Sequence, residues 1–158
     1  MGEVWGVINL NILVVGCGAR DHAICDAVCR SKGDIKLYSV MHNLNPGIKH
    51  LSKDFLQEKE TNVSQVVKYA KGKEIDLVIV GPEAPLEAGL VNKLNKNGID
   101  ACSPTKEAAR IETDKEWMRN ILKKYNIEGQ LQFECFKDID KAKNYIEDLN
   151  GQVVIKPI

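Results

Sequence analysis

The stretch "NILVVGCGARDHAICDAV", residues 11–28, decides the fold. Its first five residues are a short apolar run that ends at Gly16, the pattern of a buried strand. A helix follows from about Asp21, with Ala23, Ile24, Ala27 and Val28 on one side. Strand, glycine turn and helix in that order open a nucleotide-binding unit, and the chemistry depends on which anion the turn receives. A dinucleotide fingerprint requires G-x-G-x-x-G and an acidic residue about 20 positions further on to hold a ribose. Gly16 and Gly18 fit, but the third glycine position is Asp21. The second strand ends in Val40, Met41 and His42, with no acid where the ribose clamp belongs. Both departures point away from NAD, while the two glycines still permit a tight turn and close approach of a ligand to backbone N–H groups. Arg20 stands near the helix N-terminus, where a cation opposes the macrodipole. Two readings fit it: a bound anion such as phosphate, or an exposed pair with Asp21 of little energetic weight.

Working outward, the elements alternate. "IKLYSV" (35–40) is the next strand, and "HNLNPGIKH" (42–50) is a turn-rich interruption. Thr61 and Asn62 cap a helix carrying Val63, Val66, Val67 and Ala70. "IDLVIV" (75–80) is a β-branched strand ending at Gly81. Leu86, Leu90, Val91 and Leu94 mark one further helix, with Gly98 in a C-terminal cap position, and "IDAC" (99–102) is a short strand. This order predicts an α/β fold, a Rossmann-like parallel sheet with helices on both faces.

From about residue 104 the rhythm changes. "TKEAARIE" and "TDKEWMRNILKKY" read as helices, "LQFECF" (131–136) alternates as a half-exposed strand, and Asp138 caps another helix. "QVVIKPI" (152–158) reads as the start of a buried strand, which needs partners for its backbone. The expected organisation is extra N-terminal residues at 1–10, a first domain at 11–112, and at 113–158 the opening of a second, α+β domain that is cut short, the alternative being a small appendage that completes one domain.

The totals narrow the function classes. Among 158 residues, Lys+Arg and Asp+Glu each number 22, so the formal net charge is zero. That lacks the basic field of a typical nucleic-acid binder, and no apolar run approaches the roughly 20 residues that span a bilayer. Five scattered cysteines without a C-x-x-C pair suit a reducing cytosol better than a disulfide framework. His22, Cys25 and Cys29 share one helical face, either as metal ligands or as a small face packed on the sheet. A soft site usually needs four ligands, so no metal ligand is assigned.

In an open parallel sheet, ligands bind beyond the carboxyl ends of the strands. "GCGARD", "MHNLNPG", "GPEAPL" and "SPTK" all lie there. Glu83, between Pro82 and the pair Ala84–Pro85, is either a rigid acid for a ligand hydroxyl or amine, or a helix N-terminal Glu favoured by the dipole. Lys156 follows three apolar residues and either reaches a phosphate or faces water at a strand end. Lys115 opens a helix and has the same two readings.

"GCGARDHA" (16–23), "NPG" (45–47), "GPEAPL" (81–86), "SPTKEAA" (103–109), "DKEWMR" (114–119) and "VVIK" (153–156) resemble, in order and spacing, the phosphoribosylamine–glycine ligase family of the ATP-grasp superfamily. The resemblance runs from about Asn11 to the end. It implies that ATP phosphorylates glycine to an acyl phosphate, whose phosphate the amine of 5-phosphoribosylamine displaces, in purine biosynthesis. By position, Gly16, Gly18 and Arg20 resemble the phosphoribosylamine side of that site, as do Asn45, Pro46 and Gly47. Glu83 resembles the residue that orients the substrate amine or ribose hydroxyls, and Lys115 and Lys156 resemble the two ATP-phosphate lysines. The resemblance also implies Mg²⁺ or Mn²⁺ with the nucleotide, with metal ligands, lid and adenine pocket beyond residue 158, and a cytoplasmic enzyme whose partners are small molecules; a monomer is the expectation, with the oligomeric state left open by the sequence. The family's first loop more often reads G-G-R-E-H-A, so Ala19 and Asp21 depart from it, as do Ser103, Asp114 and Pro157. The competing readings are another purine-pathway ATP-grasp ligase of the transformylase or carboxylase type, a nucleotide-binding module without catalysis, and a dehydrogenase domain, against which the missing ribose acid counts.

Overall fold

A computed structural model describes residues 9–156. The reading of 1–10 as extra residues lies mostly outside that range, but Asn9 and Leu10 fall inside it and belong to the first strand. Pro157 lies outside it. The described residues form two compact units that divide between Ala109 and Arg110.

The first unit is a five-stranded sheet in the order β3-β2-β1-β4-β5, parallel at every pairing. Its strands are β1 (Asn9–Val15), β2 (Asp34–Met41), β3 (Asp54–Gln57), β4 (Leu77–Val80) and β5 (Asp100–Ala101). The helices between them are α1 (Ala19–Cys29), α2 (Pro46–Leu51), α3 (Val63–Gly72), α4 (Glu83–Glu87) and α5 (Leu90–Asn95); α6 (Lys106–Thr113) follows β5 and contains the point of division. Successive side chains of a strand face opposite sides of the sheet, and β1 divides its apolar residues accordingly. Leu13 and Val15 join a core with Val66, Ala70, Leu90 and Leu94. Ile12 and Val14 join a second core with Cys25, Val28 and Ile48. Both faces of a parallel sheet must be covered, which is why β1 is apolar without a break from Ile12 to Val15.

Several expectations change here. The turn-rich stretch 42–50 contains α2, because Asn45 caps it and Pro46 supplies a helical φ at its first position. β3 is an edge strand, too short and mixed to show a period in the sequence. The helix expected across Leu86–Leu94 is two, broken at Gly89, whose φ of 83° is left-handed. On α1 the buried residues are Asp21, Cys25 and Val28, whereas Ala23 and Ala27 are exposed; the larger side chains, not the alanines, face the sheet.

The second unit holds α7 (Lys115–Lys124) and α8 (Ile139–Asp148). Asp114 caps α7, accepting from the Trp117 N–H at 2.8 Å, and the Arg110 guanidinium beside it holds its carboxyl below the usual range. Phe136 and Tyr145 pack as a tilted pair with ring centroids 5.2 Å apart. The strands expected at 131–136 and from 152 are not formed among the described residues. Alternation alone does not make a strand; its backbone groups need a paired neighbour, and Leu131, Val154 and Ile155 stay exposed.

Candidate functional site

The chain runs β1, β2, β3 to one side of the sheet and then crosses back to lay β4 on the other side of β1. The strand order therefore reverses between β1 and β4, and the loops leaving these two strands part to form a crevice. A cleft of about 360 Å³ opens there, lined by Cys17, Gly18 and Arg20 from the first loop, His42 and Glu60 from the next two, and Pro82 after β4.

Gly16 begins the first loop with φ 146°, a conformation that side chains rarely adopt, and its N–H donates to the Val40 carbonyl at 2.9 Å. Gly18 then caps α1. Its N–H donates to Asp21 Oδ2 at 2.7 Å, the half of a capping box in which the third helical residue reaches back. The Asp21 carboxylate is buried, and a Cβ on either Gly16 or Gly81 would overlap it. Asp21 thus occupies the place of a third glycine for a structural reason: its carboxylate fills the gap between the β1 and β4 loops that two glycines leave open. Its Oδ1 is buried without a hydrogen-bond partner.

Arg20 does not pair with Asp21. Its Nη2 donates to Glu83 Oε1 at 3.2 Å, a contact across the crevice between the first turns of α1 and α4. Both side chains keep substantial exposure, 62% and 40%, so the pair adds little stability. It does place one guanidinium and one carboxylate at the switch point.

Asn45 has a different task. Its Oδ1 accepts from the N–H groups of Gly47 at 3.0 Å and Ile48 at 3.2 Å, and its Nδ2 donates to the Cys17 carbonyl at 2.9 Å. The side chain ties the second loop to the first. Pro46 is exposed, and Gly47 leaves room for the His22 ring, which a Cβ there would strike. Asn45→Ala removes the cap and the tie together. A cap alone is worth about 1 kcal/mol, so the loss should reach about 1.5–2 kcal/mol in urea unfolding, and Asn45→Ser, which keeps a cap but not the donor, should recover roughly half.

Glu60 went unread. It stands between β3 and α3 and is buried, with Oε1 accepting from the His42 N–H at 3.1 Å and both oxygens on His42 Nδ1 at 2.9 and 2.7 Å. Glu60 thus ties the end of β2 to the loop that follows β3, the strand beside it. Only Thr61 and Asn62 of that loop carried a local signal, as caps. His22, Cys25 and Cys29 do not converge: Cys25 is fully buried, while His22 and Cys29 are exposed.

In the second unit, Lys115 is exposed at the first position of α7, directly after its cap. Lys156 is exposed in extended chain rather than set in a buried strand. Among the described residues no helix is long and apolar enough to cross a membrane, and the five cysteines are free.

Residues 10–112 match the family model described as "Phosphoribosylglycinamide synthetase, N domain". The phosphoribosylamine–glycine ligase of Methanocella arvoryzae is 48% identical over 148 residues, covering 94% of this chain and 34% of that protein. The enzyme of the same name from Pyrococcus horikoshii is 45% identical over 149 residues, with coverage of 94% and 34%. The chain therefore spans about a third of the length of the curated relatives it matches. Among solved structures, phosphoribosylglycinamide synthetase from Anaerococcus prevotii superposes with a TM-score of 0.63 at 20% identity, over 89% of this chain and 35% of that one. N5-carboxyaminoimidazole synthetase from Staphylococcus aureus, complexed with ADP, does so with a TM-score of 0.68 at 16% identity, over 92% and 37%. At these identities the two structures share the fold.

Proposed function

Because the chain belongs to the phosphoribosylglycinamide synthetase N-domain family, we propose that it supplies the ribosylamine side of an enzyme that ligates glycine to 5-phosphoribosylamine at the expense of ATP. The observation that carries this reading is the Arg20–Glu83 pair at the switch point of the sheet. A phosphate ester entering the crevice meets the Arg20 guanidinium and the N–H groups at the start of α1, both suited to an anion. Glu83, released from Arg20, accepts from a ribose hydroxyl or the amine. Gly16 and Gly18 let the backbone approach the ester, and Asn45, Pro46 and Gly47 hold that loop in place.

Lys115 and Lys156 are the lysines this reading gives to the ATP phosphates. The Mg²⁺ or Mn²⁺ that accompanies the nucleotide belongs, in this reading, to the part of the relatives' length that the chain does not match. The glycine carboxylate takes the γ-phosphoryl group, and the ribosylamine nitrogen attacks the acyl carbon and expels phosphate. The enzyme is cytoplasmic and monomeric in this reading and uses small-molecule substrates alone. A transformylase or carboxylase of the same superfamily is the second reading. The names of the relatives at 45–48% identity support the ligase over it.

Steady-state kinetics of the full-length ligase test the reading. Arg20→Ala and Glu83→Ala should each raise KM for phosphoribosylamine by about 10–100-fold, the worth of one hydrogen bond to a charged group, with KM for ATP unchanged within about twofold. An equal rise in both constants would remove Arg20 and Glu83 from the ribosylamine site.

A further inference from the structure

Three neighbouring strands each deliver one metal-ligating side chain to a single point on the cleft wall. Cys17 follows β1, His42 follows β2 and Glu60 follows β3, and one ligand atom from each lies within 4.8 Å of the others. We propose that Cys17, His42 and Glu60 form a three-ligand site for a thiophilic divalent cation of the zinc class, with its fourth position open to the cleft. The proposal stands on this cluster and does not depend on the ligase reading.

The distances suit a chelate. Cys17 Sγ lies 3.6 Å from His42 Nδ1, and a tetrahedral zinc ion with ordinary bond lengths separates sulfur and nitrogen ligands by about 3.5 Å. His42 Nδ1 and Glu60 Oε2 are 2.7 Å apart, and the same ion would separate them by about 3.3 Å. A small rotation of the His42 side chain, which is 47% exposed, provides the difference. Glu60 is held in place by the His42 N–H, and the Cys17 backbone by Asn45.

A proton relay fits less well. In a nucleophile–base–carboxylate arrangement, thiol and carboxylate address opposite ring nitrogens. Here Sγ lies nearer Nδ1 than Nε2, at 3.6 against 4.0 Å, and Glu60 uses Nδ1 as well. Burial pushes the Cys17 thiol up, the Asn43 N–H opposes that, and the charges of Glu60 and Asp21 add to it. That is the reverse of an activated nucleophile. A cation at the shared point offsets both negative groups.

Asn43 also serves the site: its Nδ2 lies 2.8 Å from His42 Nε2, so it orients the ring by the nitrogen that a cation on Nδ1 leaves free. A sulfur, nitrogen and oxygen donor set selects zinc-like ions over Mg²⁺, which favours oxygen alone. The site is thereby distinct in chemistry from any Mg²⁺ that travels with a nucleotide.

Co²⁺ and Zn²⁺ titrations of the metal-free 158-residue chain test this. One Co²⁺ should bind per chain, with a thiolate-to-cobalt band in the near ultraviolet and the visible bands of a tetrahedral ion. Cys17→Ser should abolish the near-ultraviolet band, and both Cys17→Ser and His42→Gln should weaken Zn²⁺ binding by at least about tenfold. Cys29→Ser and Cys102→Ser should change neither. Far-ultraviolet circular dichroism confirms that each variant is folded, and His42→Gln, at an exposed position, serves if Cys17→Ser is not. Absence of Co²⁺ binding, a thiolate band that survives Cys17→Ser, or one lost in Cys29→Ser would overturn the proposal.

Discussion

Gly81→Ala should destabilise the first unit by about 3 kcal/mol and disturb the ligand crevice with it. A methyl group there runs into Asp21 Oδ1. The carboxylate has no room to retreat, because Gly16 packs against its other side and the Gly18 N–H holds Oδ2 at 2.7 Å. Overpacking costs about 1–3 kcal/mol, and losing a hydrogen bond to a charged group costs about 1.5–3 kcal/mol more. The decisive measurement is a double-mutant cycle in urea. In an Asp21→Ala background the obstacle is gone, and Gly81→Ala should then cost less than about 1 kcal/mol. A coupling of about 2 kcal/mol or more is expected, at the upper end for residues in contact. Additive losses would mean that the Asp21 carboxylate does not join the two loops. Gly16→Ala meets the same carboxylate and a left-handed φ besides, so Asp21→Ala should rescue it only in part.

Leu13→Ala should cost about 3–4 kcal/mol, within the range for emptying a fully buried leucine site. Leu13 has no exposed surface and lies in β1, which is paired on both sides, so neighbouring strands cannot close over the hole. A domain of this size holds only about 5–15 kcal/mol in all, and its unfolding midpoint should fall by 10 °C or more on the usual scaling. Leu44→Ala is the control. That residue is 43% exposed, and its loss should remain under about 1 kcal/mol. Equal effects at the two positions would contradict the placement of β1 at the centre of the sheet.

The sequence by itself determined what local physics encodes. The apolar runs of β1, β2 and β4, the cap of α3 at Asn62 and the glycine turn at Gly16 are short-range signals, and their alternation leads to a parallel α/β sheet. The same loops carried the family resemblance that residues 10–112 bear out. Short-range signals also misled. "LQFECF" alternates as a strand does, but pairing is a long-range condition and that stretch has no strand partner among the described residues. α2 was legible in principle, since Asn-Pro is a helix start, but the Asn, Pro and Gly around it read equally well as turn.

Only the tertiary structure decided who meets whom at the strand ends. Arg20 and Glu83 lie 63 residues apart in sequence and meet because β4 returns to the far side of β1. Asp21 looked like a failed glycine, and it is a buried wedge because two loops from adjacent strands leave a gap of one carboxylate. Glu60 reaches His42 and Cys17 because β3 lies next to β2 and β2 next to β1. No local pattern states that order. Hydrogen bonds within a helix or turn join residues a few positions apart, whereas the register of a parallel sheet is set by burial of whole faces, and the ends of its strands become neighbours as a consequence.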